Sequence, residues 1–246
     1  MWMRLGWLEI RRRYRRTAIG PFWTGFNLAT TAFAVGFLWA ALFNQPVSKY
    51  MPFLTAGIIA WQFIAAVVGE GATVFTSGQS LLTTMRISQT LLVATMVWRN
   101  VLVFFHNLAV FVVVMLVWKV PLTWNTLLLI PGLALLALNG LWVGILVGIV
   151  CTRFRDIAQV IVGLLQILMF LTPVMWSRDM LKGRETIGYL IDINPFYHVI
   201  EIVRAPMLGQ APSIENWIVA AMLIVVGGAA ALYMFSRFRQ RVPYWL

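Results

Sequence analysis

Five stretches of this chain run for about twenty residues, the length a helix needs to cross the hydrocarbon of a bilayer, with at most one charge each, and a sixth is shorter but uncharged. Phe22 to Phe43, Leu127 to Val150, Ile157 to Trp176 and Trp217 to Phe235 hold no charge, Met51 to Phe75 holds only Glu70, and Val101 to Trp118 is the short one. The pattern predicts an all-α polytopic membrane protein with six helical spans, at 22–43, 51–75, 101–118, 127–150, 157–176 and 217–235. The whole chain reads as one transmembrane domain.

Six spans put both ends of the chain on one face, and the Arg and Lys residues say which. With the N-terminus in the cytoplasm, thirteen basic residues fall inside: six Arg before Phe22, then Arg86, Arg99, Arg153, Arg155, Arg237, Arg239 and Arg241. Six fall outside, and four of those share a loop with five acids. An excess of Arg and Lys marks cytoplasmic loops, so both termini are expected in the cytoplasm.

Composition narrows the class. The chain is 61% hydrophobic and 11% charged with a single cysteine, which excludes a disulfide framework, a paired-cysteine metal site and a sizeable soluble domain. The net charge of +11 is spread over juxtamembrane loops. Anionic lipids of the inner leaflet select that distribution, so membrane lipids are expected partners and nucleic acid is not. Residues 1 to 20 lack the apolar core of a cleavable signal peptide.

The loops carry the remaining information. Over residues 1–20 Met3, Trp7, Ile10 and Tyr14 share one face of a helix and Arg4, Arg11, Arg12, Arg13, Arg15 and Arg16 take the rest, which predicts an amphipathic interface helix lying in the membrane plane. Its Arg cluster either fixes topology or holds the phosphate of a lipid-linked substrate, with Arg12, Arg15, Arg16 and Gly20 as the candidates. Glu70, about 7 Å from the inner end of its span, is placed to reach water or an inner-face Arg. Ser80 to Ser88 can form a short helix offering Leu81, Leu82, Met85 and Arg86 to a cytoplasmic partner. His106 and Asn107 are expected to hydrogen-bond across helices, and Arg153 to Asp156 to form a tight inner turn with an internal ion pair. Pro173 should kink the fifth span near its outer end. Residues 177 to 216 suggest two short re-entrant helices roofing a pathway, since such backbone is tolerated only against protein or a water-filled cavity.

Several chemistries are missing. No lysine follows a glycine as a phosphate-binding loop requires, so ATP hydrolysis of that kind is expected elsewhere. No catalytic set, cofactor site or metal-ligand spacing is visible, and there is no Gly-x-Ser-x-Gly elbow.

Against that background Arg13-Tyr14-Arg15-Arg16-Thr17-Ala18-Ile19-Gly20-Pro21-Phe22-Trp23, Arg153-Phe154-Arg155-Asp156-Ile157, Leu171-Thr172-Pro173-Val174-Met175-Trp176, Asn194-Pro195-Phe196-Tyr197-His198 and Arg204-Ala205-Pro206 form an ordered set. It resembles the permease subunit of type-2 ABC exporters for bacterial polysaccharides, most closely those for O-antigen and capsule. The resemblance implies a homodimer bound to two copies of a separate ABC ATPase, which carries ATP and Mg. It implies an interface helix at 1–20, a coupling helix at 80–90 that docks on the ATPase, and gate helices at 179–208 with Pro195, Phe196, Tyr197, Ile200 and Met207 at the outer exit. The cargo implied is a lipid-linked glycan crossing through a channel between the two copies. Two other classes remain open on the residues alone: a proton-coupled secondary transporter using Glu70 and His106, and a membrane-embedded glycolipid transferase using His198 and Glu201.

Overall fold

The computed structural model describes residues 2–14, 20, 22–85, 87–177 and 185–246, and among them every regular element is helical. In chain order these are α1 (Trp2–Tyr14), α2 (Phe22–Leu42), α3 (Val47–Gly71), α4 (Val74–Ser77), α5 (Gln79–Thr83) and α6 (Gln89–Trp118). A 3-10 turn, Trp124–Leu128, leads into α7 (Leu129–Arg153), followed by α8 (Ile157–Leu171), α9 (Glu185–Ile193), α10 (Pro195–Met207), α11 (Ile214–Phe238) and α12 (Val242–Trp245). Five helices are long and apolar enough to cross a membrane: α2, α3, α6, α7 with its leading turn, and α11. The expected fifth span, α8, is a 15-residue apolar helix.

Three boundaries depart from the sequence reading, each for a local reason. The third span was placed at 101–118, yet α6 begins at Gln89, where the Ser88 hydroxyl accepts the Leu91 N–H at 3.3 Å as an N-cap. The fifth span was carried to Trp176 with a kink at Pro173. It stops at Leu171 instead, because the ring of Pro173 forces Thr172 into extended backbone (φ −85°, ψ 138°). Among the described residues of 80–90 the expected continuous helix is not formed: the helix α5 ends at Thr83, and Gln89 and Thr90 already belong to α6.

Helix α3 is the centre of the bundle, packed by α2, α6, α7, α8 and α10. In lipid there is no hydrophobic drive between helices, so such packing rests on close contact and hydrogen bonds. The unwound residues after α8 supply both. Thr172 to Met175 are buried; Val174 lies so near α3 that a Cβ on Gly57 would stand 2.7 Å from its carbonyl oxygen. The Tyr50 hydroxyl donates to the Met175 carbonyl at 2.5 Å.

The two described ends of the chain lie at the same end of the bundle. Helix α1 packs on the first half of α6, with Gly6 against Trp98 and Thr95 and with Trp2 edge-on to Trp98 at 5.6 Å. At the same level the Gln89 side chain donates to the Arg239 carbonyl at 2.8 Å, and Arg155 to the Leu246 carbonyl at 3.2 Å. Phe75, just beyond α3, lies against Gly148 near the end of α7. The turn Arg153 to Asp156 thus spends its cations on the C-terminal segment, with Arg153 also over the Trp245 ring at 5.4 Å. The ion pair expected inside the turn is not formed among the described residues.

Candidate functional site

At the end that holds α1, four polar side chains converge from three helices. Arg99 of α6 donates to Glu9 of α1 and, at 2.7 Å, to Glu70 of α3, whose same oxygen accepts the Asn100 amide at 2.8 Å. The network ties α1 to α3 and α6 at one end of the bundle. It borders a polar cavity of about 440 Å³ lined in part by Thr73, Ser77 and Gly78. The inner-face Arg that Glu70 was expected to reach is Arg99. Glu9 and Asn100 were missed; the available signal was that Glu9 is the one acid among six Arg and that Asn100 adjoins Arg99.

The other residues singled out at this end have mixed placements. Arg12 lies in α1 with its side chain outside the described set, Arg15, Arg16 and Arg86 lie outside the described residues, and Gly20 is described at φ 62°. Leu82 is buried and Leu81 half-buried, so both pack inward rather than offering themselves to a partner, and only Met85 is fully presented. Asn107 bonds across helices as expected, to Gln62 of α3 at 3.0 Å, while the His106 ring contacts the Leu102 carbonyl of its own helix at 2.6 Å.

At the opposite end α9 and α10 form a hairpin over the bundle. Both ring nitrogens of His198 are engaged, one with Asn216 at 2.7 Å and the other donating to the Asp192 carbonyl at 2.8 Å. Glu201 is bound by Arg204, so the His198 and Glu201 pair that a transferase would need is not assembled. Arg204 is 1% exposed; it also donates to the Pro173 carbonyl at 2.7 Å and lies 4.2 Å over the Phe53 ring. Among the expected gate residues Ile200 and Met207 are 0% and 3% exposed within one copy. Both side chains pack inside a single copy. Pro195 is exposed, and Phe196 and Tyr197 are half-buried; Phe196 meets Trp61 edge-on at 6.0 Å.

Along the bundle's flank α8 has no buried residue among its fifteen. One face carries Gln159, Gly163, Gln166 and Phe170, all exposed, and α2 likewise exposes Asn27, Thr30 and Thr31 beside Phe26 and Phe37. Uncharged polar groups on otherwise apolar membrane helices are costly against lipid and belong against protein or water.

Residues 2–208 match the ABC-2 type transporter family. The chain belongs to that family. It is also similar to two proteins named O-antigen export system permease protein RfbA. The one from Myxococcus xanthus is 24% identical over 234 residues, 94% of this chain and 90% of that protein. The one from Klebsiella pneumoniae is 21% identical over 239 residues, 95% of this chain and 90% of that protein. An ABC-2 permease is a multi-pass transport subunit, of a kind that works in general with an ABC ATPase and as a dimer. Membership accounts for the missing phosphate-binding loop and for an apolar flank left uncovered in one copy.

Proposed function

We propose that this chain is the membrane subunit of an ATP-driven exporter that carries a lipid-linked polysaccharide, O-antigen or capsule, across the bacterial inner membrane through a channel between two copies. Two copies of a separate ATPase supply the energy. The observation that carries the reading is similarity over nearly the whole chain to two O-antigen export permeases, each covered to 90% of its length.

Other features support its parts. Ends on the same side of the bundle require an even number of crossings; five long helices plus α8 with its unwound tail make six, with both termini cytoplasmic by the positive-inside count. The polar stripe on α8 and the polar positions of α2 suit the wall of a hydrated path, where amide and hydroxyl groups meet sugar hydroxyls and aromatic rings meet sugar faces. Met85 is exposed in the loop assigned to docking on the ATPase. A proton-coupled carrier is disfavoured because Glu70 is held by Arg99 and Asn100.

The test is reconstitution of the chain with a candidate ABC ATPase partner from the same organism in proteoliposomes loaded with a lipid-linked glycan. ATP-dependent appearance of glycan to an impermeant lectin, requiring both proteins, is the expected result. Translocation without the ATPase, or none with both present, would refute the reading.

A further inference from the structure

The end of the bundle away from α1 holds a cavity of about 800 Å³ that neither the family nor the proposed channel accounts for. Its walls come from four separated segments: the first turn of α3 (Ser48, Lys49), the chain from Trp118 to Pro121, Ser177 after α8, and α10 (Tyr197, Glu201, Arg204). The size falls in the roughly 300–1,000 Å³ range of small-molecule sites.

Its charge is unbalanced. On the floor, Arg204 and Glu201 neutralise each other, and Arg204 uses three of its five N–H donors, two on Glu201 and one on the Pro173 carbonyl. At the rim stand Lys49 and Lys119, both exposed, neither with an acidic partner among the described residues. Two cations without an acidic partner among the described residues face one cavity with Trp118 and Tyr197 beside them.

The rim is also built rather than incidental. Lys119 caps α6 in the left-handed region (φ 54°, ψ 44°), its N–H on the Met115 carbonyl. A side chain there costs about 1–2 kcal/mol more than in ordinary helical backbone. The loop behind it is fastened to α10: the Thr123 hydroxyl donates to the Gly209 carbonyl at 2.6 Å and the Asn125 amide at 3.3 Å. Lys119 is therefore held over the cavity from a fixed turn.

We propose that this cavity is an anion site for the pyrophosphate headgroup of a polyprenyl-type lipid carrier on the outer side of the membrane. Lys49 and Lys119 take the phosphates, the spare donors of Arg204 reach from the floor, and the Trp118 and Tyr197 rings take the first sugar. The identity of the ligand rests on the export reading; the charge and shape of the cavity do not. Two phosphates match the two ammonium groups of Lys49 and Lys119, whereas the single charge of phosphatidylglycerol leaves one unmatched.

The full chain bearing Ser48→Cys and Cys151→Ala, in phosphatidylcholine nanodiscs, is labelled with a polar maleimide while farnesyl pyrophosphate is titrated. At ten times its Kd the ligand should slow labelling about tenfold, and Lys49→Gln with Lys119→Gln should weaken protection by about tenfold per lysine. Inorganic pyrophosphate should protect as well. Unchanged labelling, protection equal in the double Gln variant, protection by farnesyl pyrophosphate but never by pyrophosphate, or protection by phosphatidylglycerol discs alone would each overturn the proposal. The measurement needs neither ATPase nor transport, so a failure of export in reconstitution and a failure of this site are separately visible.

Discussion

Arg204 is the residue whose removal the bundle should tolerate least. Its side chain is 2% exposed, and it holds the Glu201 carboxylate, the Pro173 carbonyl and the face of Phe53. Arg204→Met keeps most of the volume and leaves Glu201 without its counter-charge and Pro173 without its donor. Removing one partner of a buried pair costs about 3–5 kcal/mol and an orphaned carbonyl about 1–3 kcal/mol. Glu201 is 17% exposed and borders a cavity open to water, which discounts the first figure. A net loss of about 2–4 kcal/mol follows, or about 5–12 °C in the melting temperature of a chain this long. Replacing the whole pair by apolar residues is often nearly neutral, so Arg204→Met with Glu201→Leu should recover most of the loss. Tryptophan fluorescence during heating in detergent reads all the variants. An Arg204→Met protein that melts within about 2 °C of wild type, or a double variant whose loss is the sum of the two single losses, would refute the account of Arg204 as the fastening between α10 and the unwound segment after α8.

Gly209 sits at φ +75°, and a Cβ there would stand 2.6 Å from the Pro121 carbonyl oxygen; Gly209→Ala should cost about 2 kcal/mol or more, whereas Gly163→Ala, with open space around it, should leave the melting temperature unchanged or raise it. Arg99→Gln should free α1: with Cys151→Ala and a reporter cysteine at Ile10, now 2% exposed, loss of about 1.4 kcal/mol of holding energy would speed maleimide labelling about tenfold. Equal labelling with and without Arg99 would sink that reading. Gln159→Leu with Gln166→Leu, both fully exposed in one copy, should lower ATP-dependent export without lowering the melting temperature; unchanged export would place the stripe outside the path.

Much of the architecture was legible because membrane helices announce themselves by length and lack of charge, and the positions of α2, α3, α7 and α11 follow from that alone. What escaped was polar chemistry decided at long range. Arg99 read as the residue that opens a span, since a cation normally marks the end of an apolar run, but two acids from other helices neutralise it and let α6 continue through it. Pro173 read as a kink because the flanking residues are apolar, yet the carbonyls of Pro173, Val174 and Met175 find partners or close packing on α3 and α10, so the helix could end inside the bundle. The resemblance puts Ile200 and Met207 at the outer exit, and α10 buries both within one copy. Only the path of α10 across α3 and α7 could show that they point into the core.

The shortness of α8 has a consequence for the lipid around it. Fifteen residues rise about 22 Å, against a hydrocarbon layer of about 30 Å, and beyond them the chain leaves the helix, with the Met175 carbonyl accepting from Tyr50 of α3 and the Pro173 carbonyl from Arg204 of α10. On this flank the continuous apolar helix is therefore about 8 Å shorter than the hydrocarbon layer, and the bilayer must pinch inward to meet it. A lipid whose head is dragged from one leaflet to the other travels the smallest distance where the membrane is thinnest. Acyl-chain length then becomes a control knob that no side chain holds: vesicles made from long-chain lipids should slow transport by stretching the dimple, and short-chain ones should relieve it.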